Sequence, residues 1–200
     1  MKIRLILSLI ILGLFYACEK DPIEELDTFL VIGNENATIR IIDTLIFPED
    51  RYDSIVYKID IDLNGTNDVA FYIFYDYSPS HYRSNFRFDC LTDQIKVLTN
   101  DSILSPEILD YGDTLNIDKK WVNSSMEILR TFGNSVWVGD GIIYKYGNWY
   151  DLSNKYIGVL IEDDENPTYG WIKLSVPDGE WVNSLTIHEI GHKKAAYNTP

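Results

Sequence analysis

The sequence predicts an all-β protein, an antiparallel sandwich or jelly-roll-like single domain covering residues 28–200. Short runs of β-branched and aromatic residues recur along the chain, and Gly, Asn, Asp and Pro turn signals separate them, which is the pattern of consecutive strands. The chain contains 14 Tyr, 8 Phe and 5 Trp. Aromatic residues fit a pleated sheet better than a helical bundle, so the composition supports the same class.

Nine segments carry the strand pattern. They are Thr38–Ile42, Ser54–Ile61, Val69–Tyr77, Asn85–Cys90, Ile95–Thr99, Ile142–Tyr146, Tyr156–Ile161, Gly170–Val176 and Ser184–Glu189. One short helix is predicted over 123–130, because Ser124 followed by Glu127 matches a capping box.

The first 17 residues predict a secretory signal peptide. Lys2 and Arg4 precede an apolar run from Leu5 to Tyr16, which is too short for a bilayer that needs about 20 apolar residues. Ala17 then places a small residue directly before Cys18. Residues 18–27 are polar and acidic and predict a tether. An ordinary signal peptide with an incidental cysteine is the alternative.

The residues Leu14–Cys18 resemble a bacterial lipobox, with Phe15 where that motif prefers Leu. The resemblance implies that Cys18 becomes the acylated (palmitate-carrying) first residue of the mature protein, with the lipid bilayer as its partner. More than one acyl chain gives stable anchoring. The acidic stretch after Cys18 resembles the surface-export signal of Bacteroidota-type lipoproteins. It implies an outer-membrane lipoprotein that faces the medium.

The chain has 200 residues and a formal net charge of −14, which becomes more negative once Lys2 and Arg4 are removed. Such a charge repels phosphate backbones, so nucleic acid is not expected as a partner. The second cysteine, Cys90, lies in an alternating strand segment. With Cys18 acylated it has no disulfide partner, and a buried inert thiol is expected.

Residues 60–69 place oxygen donors at alternate positions around a glycine turn. Calcium takes six to eight oxygens, and such a loop supplies several. The predicted ligands are the side chains of Asp60, Asp62, Asn64 and Asp68 and the carbonyl of Thr66, with Gly65 at the turn. An Asx-rich hairpin turn without a metal is the alternative, because Asn64-Gly65 is also a strong turn signal.

Residues 188–192 read HEIGH and match the zinc-protease pattern H-E-x-x-H. That mechanism needs His188 and His192 on one helical face with Glu189 between them. The alternating residues before His188 and the helix-breaking Gly191 favour a strand instead, on which the two histidines lie ~13 Å apart. The extended motif would also need Gly at 195 and His at 198, where this chain has Ala195 and Asn198. The sequence therefore predicts no catalytic site, and a zinc hydrolase remains the competing hypothesis.

The segments YIGV (156–159), YGWIKLSV (169–176) and LTIHE (185–189), with AYNTP (196–200), resemble the ending of poorly characterised secreted β proteins and lipoproteins. The resemblance implies that 184–198 forms a closing strand and a terminal turn. It implies no activity. In 169–176 the residues Ile172, Leu174 and Val176 should face one side of a sheet, and Trp171, Lys173 and Ser175 the other.

The function predicted is a non-catalytic binding or structural role whose ligand the sequence does not identify; an extracellular glycan or a protein is the candidate partner. A glycan-binding lipoprotein is the second alternative, since exposed rings stack on sugars. The candidate rings for that role are Tyr72, Tyr75, Tyr77, Tyr82, Trp137 and Trp149.

Overall fold

The computed structural model describes residues 29–50, 52–78, 81–100, 105–134, 143–163, 166–179 and 182–196. The predicted signal peptide (1–17), Cys18 and the tether (18–27) lie outside the described residues. Within those residues no helix is long and apolar enough to cross a membrane.

The protein is all-β, as the sequence predicts, and the described residues contain no helix. All nine predicted strands are present, although several are longer than expected. The strands are β1 (Phe29–Val31), β2 (Thr38–Ile46), β3 (Tyr52–Ile59), β4 (Val69–Ser78), β5 (His81–Cys90), β6 (Ile95–Leu98), β7 (Thr114–Asn116), β8 (Trp121–Val122), β9 (Met126–Asn134), β10 (Ile143–Gly147), β11 (Leu152–Ile161), β12 (Thr168–Val176) and β13 (Leu185–Lys194).

The strands form three antiparallel sheets. A five-stranded sheet has the order β10-β9-β5-β4-β3, and a six-stranded sheet has the order β2-β13-β12-β11-β6-β8. The strands β1 and β7 pair separately as a two-stranded sheet. The two large sheets pack as a sandwich.

The main hydrophobic core lies between the two large sheets. Alternate residues of β4, including Phe71 and Ile73, meet alternate residues of β12, including Ile172 and Leu174, and all four side chains are buried. The period-two alternation places one face of each strand in this core. The predicted facing of residues 171–176 is therefore confirmed.

A second core covers the opposite face of the six-stranded sheet. Leu30 of β1 and Leu115 of β7 pack there against Tyr156, Tyr169 and Trp171. Close approach is possible because a glycine faces this layer: a Cβ on Gly158 would lie 2.9 Å from Leu115 Cδ2. The six-stranded sheet is thus the middle of three layers where β1 and β7 cover it.

The helix predicted over 123–130 is wrong, because β9 begins at Met126. Met126, Ile128 and Leu129 are all buried, and a bulge in the β5–β9 pairing lets both of the adjacent residues 128 and 129 face the core. The bulge breaks the period of two, which hides the strand in the sequence. The Ser124 hydroxyl donates to the Ser125 carbonyl and does not act as a helix cap.

Candidate functional site

The acidic loop joins β3 to β4 at one end of the sandwich. It folds around its own backbone: Asp60 Oδ2 accepts from Gly65 N at 2.8 Å, and Asn64 Oδ1 accepts from Thr66 N at 2.7 Å. Gly65 has φ +91°, a left-handed conformation that glycine adopts without strain. The predicted glycine turn is therefore present.

Three carboxylates of this loop converge. One oxygen each from Asp60, Asp62 and Asp68 lie within 4.8 Å of one another. Asp68 is only 4% exposed, and its Oδ2 accepts from Ile61 N at 2.7 Å. The pKa of Asp68 is raised to about 6: burial has the largest effect, the Ile61 hydrogen bond opposes it, and the charges of Asp62 and Asp60 add to it. A bound cation would relieve this repulsion.

The other two predicted ligands behave differently. Asn64 directs its amide nitrogen to Asp62 Oδ2 at 3.0 Å, while its amide oxygen is engaged by the Thr66 backbone N–H. Thr66 is exposed. The loop therefore offers three converged carboxylates, and Asn64 would have to rotate its amide to add a fourth oxygen.

The HEIGH segment lies on β13 and not on a helix. His188 is an inserted residue, because Lys173 pairs with Glu189 and the next residue, Leu174, pairs with Ile187. The bulge puts the two histidines on opposite faces of the sheet. His188 Nε2 bonds Ser175 Oγ at 2.8 Å on the covered side, whereas His192 lies opposite Gly170 on the side that contacts Ile61.

This placement does not provide the paired ligands of a zinc-protease helix. His192 instead lies beside the acidic loop, a proximity that the sequence did not indicate. Burial lowers the pKa of His192, while the nearby Asp62 and Asp60 charges act in the opposite direction. Arg40 completes this corner by donating from Nη2 to the Asp60 carbonyl at 3.0 Å.

His188 belongs to a Ser–His–Asp chain. Its Nδ1 lies 3.5 Å from Asp43 Oδ1, while its Nε2 contacts Ser175. The order matches the relay of a serine hydrolase. The Ser175 oxygen, however, already accepts from Asn154 N at 2.9 Å, which lowers its nucleophilicity, and the Asp43 side chain is 70% exposed, so water screens its charge.

A second chain of the same type supports a structural role for the first. His81 bonds Ser78 Oγ at 2.7 Å and Asp76 Oδ2 at 3.0 Å, all within one hairpin. Such local bonds pin a turn. We interpret the contacts of His188 in the same way, as bonds that hold the bulge in β13.

The outer face of the five-stranded sheet is open and aromatic. The residues of β4 that alternate with the buried Phe71 and Ile73 point outward, and cross-strand partners share their face. Three rows result. The first contains Tyr52, Asp76, Arg83, Phe132 and Tyr144; the second contains Ser54, Phe74, Asn85, Arg130 and Tyr146; the third contains Val56, Tyr72, Arg87 and Glu127.

We call this surface the open face, and its rings are Tyr52, Tyr72, Phe74, Phe132, Tyr144 and Tyr146. Four of them are substantially exposed: Tyr52 by 67%, Phe132 by 40%, Tyr144 by 47% and Tyr146 by 49%. Neighbouring strands lie ~4.8 Å apart and successive rows ~7 Å apart. The rings therefore lie in two groups separated by β5: one group is on β9 and β10, and the other is on β3 and β4.

Arginines are interleaved with these rings. The Arg83 guanidinium lies 5.7 Å from the Phe74 centroid, that of Arg87 4.9 Å from Tyr72 and that of Arg130 5.2 Å from Tyr146. These distances are in the range of cation–π contacts. The open face also carries Lys58, and its carboxylates are those of Asp76, Asp89 and Glu127.

The ring set predicted from the sequence is wrong at two of its six positions. Tyr82 and Trp149 are fully buried; the Tyr82 hydroxyl donates to the Val182 carbonyl at 2.7 Å, and Trp149 Nε1 donates to the Pro106 carbonyl at 3.0 Å. Tyr75 and Tyr77 alternate in phase with Ile73 and face the core side. Of the six predicted rings Tyr72 lies on the open face, and Trp137 lies outside the described residues.

Cys90 is a half-buried free thiol at the end of β5. Burial raises its pKa, with a smaller opposing effect from a hydrogen bond of the Ser124 backbone. Because the thiolate is the reactive form, the raised pKa fits the predicted structural role.

Comparison of the chain with protein-family models, with curated proteins and with solved structures found no match. Function therefore has to be inferred from the geometry of this molecule.

Proposed function

We propose that this protein is an outward-facing membrane lipoprotein that binds glycans through its open face, without catalysis. The single observation that carries the proposal is the array of six rings on one solvent-facing side of the five-stranded sheet. Ligand sites combine apolar or aromatic surfaces with a few polar groups that fix orientation. Sugar rings have apolar C–H faces that stack on aromatic rings and hydroxyl rims that hydrogen-bond to polar groups.

The open face suits an extended ligand. It runs across all five strands, and its two groups of rings lie on either side of β5. Exposed aromatic area of this kind is uncommon on a free surface because water solvates it poorly. The guanidinium groups between the rings add donors for hydroxyl and acidic groups.

Affinity measurements with soluble polysaccharides test the proposal. The probes are laminarin and xylan as neutral chains and hyaluronan as an acidic chain, each titrated into the purified protein. At least one should bind, and Phe132→Ala or Tyr144→Ala should weaken that binding by about tenfold, the loss expected at a central interface residue.

The matched control is Tyr111→Ala. Tyr111 is a 73% exposed tyrosine that packs on Gly33, away from the open face. Its removal should leave polysaccharide binding unchanged. Binding that survives both open-face substitutions, or no binding to any probe, would contradict the proposal.

The location is part of the proposal and is tested separately. Lipid attachment at Cys18 would hold the domain at the membrane. The protein expressed in a bacterium that processes lipoproteins should incorporate a labelled palmitate analogue, and Cys18→Ser should abolish both the label and membrane fractionation. Label retained in the variant would disprove acylation at this residue.

A second binding role, for calcium at the acidic loop, is favoured by the convergence of Asp60, Asp62 and Asp68. Carboxylate oxygens are preferred calcium ligands, and the count of three charges implies weak affinity. Calcium at millimolar concentration should raise the melting temperature over that in chelator, and Asp62→Asn should remove the effect. The exposed Asp93→Asn variant is the charge-matched control.

A further inference from the structure

We infer that the glycan bound by the open face is acidic and that Arg83 binds its carboxylate. This inference rests on the proposed glycan-binding function and names its ligand class. It follows from the way in which the three arginines of the open face are partnered.

Two of these arginines are held by carboxylates of the protein. Arg87 makes a bidentate pair with Asp89, with Nε–Oδ1 at 2.7 Å and Nη2–Oδ2 at 2.8 Å. Arg130 Nε lies 3.6 Å from Glu127 Oε2. A protein carboxylate therefore already pairs with each of these two guanidinium groups, and both groups also lie over rings, those of Tyr72 and Tyr146.

Arg83 is different. Its cross-strand neighbour Asp76 is in register with it, but the Asp76 carboxylate is turned to His81 at 3.0 Å. Among the described residues no carboxylate forms an ion pair with Arg83, which is exposed and contacts the Phe74 ring. Its planar fork of donors is therefore available for a carboxylate of a ligand, which it fits in a bidentate manner.

The position of Arg83 suits this role. It stands in the central strand of the five, between Asp76 on β4 and Phe132 on β9, and Tyr144 continues the same row. A sugar stacked on Phe132 or Tyr144 would bring a ring substituent within reach of the guanidinium. Stacking and ion pairing would then act on one sugar unit or on adjacent units.

The charge of the open face differs from that of the chain. Lys58 and the three arginines stand against three carboxylates, a net charge of +1, whereas the whole chain carries −14. The open face is therefore much less acidic than the chain as a whole, and Arg83 offers an acidic ligand a local attraction. Attraction of this kind is sensitive to salt.

A single-stranded polynucleotide also combines stacking with negative charge. Its binding depends on several cations that each replace counterions along the phosphate backbone. The open face offers one unpaired arginine and Lys58 in a strongly acidic chain. A carboxylated glycan fits this surface better, because stacking would supply much of its affinity and one guanidinium would bind its carboxylate.

The test compares hyaluronan, polygalacturonate and polysialic acid with their carboxyl-reduced, neutral counterparts in calorimetric titrations of the purified protein. At least one acidic chain should bind at least about tenfold more tightly than its neutral counterpart. Arg83→Gln should lose that preference, and Arg83→Lys should keep part of it because the charge remains without the fork. Lys194→Gln is the control, since it removes one charge from a 59% exposed side chain of β13.

The outcomes separate the two proposals. Equal binding of acidic and reduced chains, abolished by Phe132→Ala, would overturn the acidic preference and leave glycan binding intact. Loss of preference in Lys194→Gln as large as in Arg83→Gln would overturn the role of Arg83. Binding of poly(dT) but of none of the six polysaccharides would overturn both the acidic preference and the glycan-binding function. The melting temperatures of the Arg83 variants should equal that of the parent protein, which would show that their loss of binding preference is not caused by unfolding.

Discussion

The two outer faces of the sandwich carry similar aromatic residues but differ in their exposure to solvent. On the six-stranded sheet, Tyr156, Tyr169 and Trp171 lie under the β1–β7 pair and are at most 3% exposed. On the five-stranded sheet, Phe132, Tyr144 and Tyr146 meet water. The difference is the presence of a covering layer, so aromatic residues serve as core on one face and are exposed on the other, where we propose that they bind a ligand.

The glycines mark the same contrast. Gly191 lies on the covered face, where a Cβ would come within 2.1 Å of Trp171 Cζ2. The indole therefore lies flat against the backbone of β13, and the layer above can approach. At the centre of the open face the long side chains of Arg83 and Arg130 stand between the rings instead of a glycine.

The largest predicted effect concerns Trp171. Trp171→Ala should lower the free energy of unfolding by about 3–5 kcal/mol, because it leaves a cavity in the second core. Denaturation with urea measures the change. Tyr144→Ala, the matched loss of a ring from the open face, should cost no more than about 0.5 kcal/mol. Similar losses in the two variants would show that the open face is covered as well.

The next largest effect concerns the acidic loop, where substitution should raise the free energy of unfolding instead of lowering it. The pKa of Asp68 is raised from 3.8 to about 6 in the folded protein, so folding favours the protonated acid. The metal-free protein should lose stability as the pH rises from about 4 to about 6, by on the order of 1–3 kcal/mol. Asp68→Asn should remove this loss, because the amide oxygen still accepts from Ile61 N.

Thermal melts in chelator at pH 4 and pH 7 check this prediction. The variant should melt above the unmodified protein at pH 7 and close to it at pH 4. Added calcium should raise the melting temperature of the unmodified protein but not that of the Asp68→Asn variant. A variant less stable than the parent at pH 7 would mean that the carboxylate is stabilising without a metal.

A smaller effect is expected at His188. His188→Ala removes the bond to Ser175 on the bulge and should cost about 1 kcal/mol. Elemental analysis should find no stoichiometric zinc in the parent protein, and neither parent nor variant should react with a fluorophosphonate. Labelling of Ser175 in the parent would instead assign hydrolase chemistry to this chain of contacts.

The smallest predicted effect distinguishes the contribution of the Tyr144 ring from that of its hydroxyl group. Tyr144→Phe keeps the stacking surface and removes one exposed hydroxyl, so stability should change by less than about 0.5 kcal/mol. Polysaccharide affinity should stay within about twofold, in contrast to Tyr144→Ala. A loss in Tyr144→Phe equal to that in Tyr144→Ala would assign recognition to the hydroxyl.

Local sequence patterns determined much of this protein. Period-two alternation and turn residues predicted the all-β class and nine strands, and they placed Ile172, Leu174 and Val176 on one face. The acidic loop was also predictable, because its carboxylates lie within nine residues and the Asn-Gly turn brings them together. HEIGH was predicted to be a strand because Gly191 opposes a helix.

Only the tertiary structure decided the rest. The bulges at His188 and at Ile128–Leu129 reverse the facing of the residues beyond them, which period-two patterns do not report. The second core arises from β1 and β7, which are distant in sequence from each other and from the covered Tyr156, Tyr169 and Trp171. Which aromatic residues face water depends on how the sheets pack. Tyr82 and Trp149 face the interior of the sandwich, whereas Phe132 and Tyr144 lie on its uncovered side, and the sequence alone did not separate these cases.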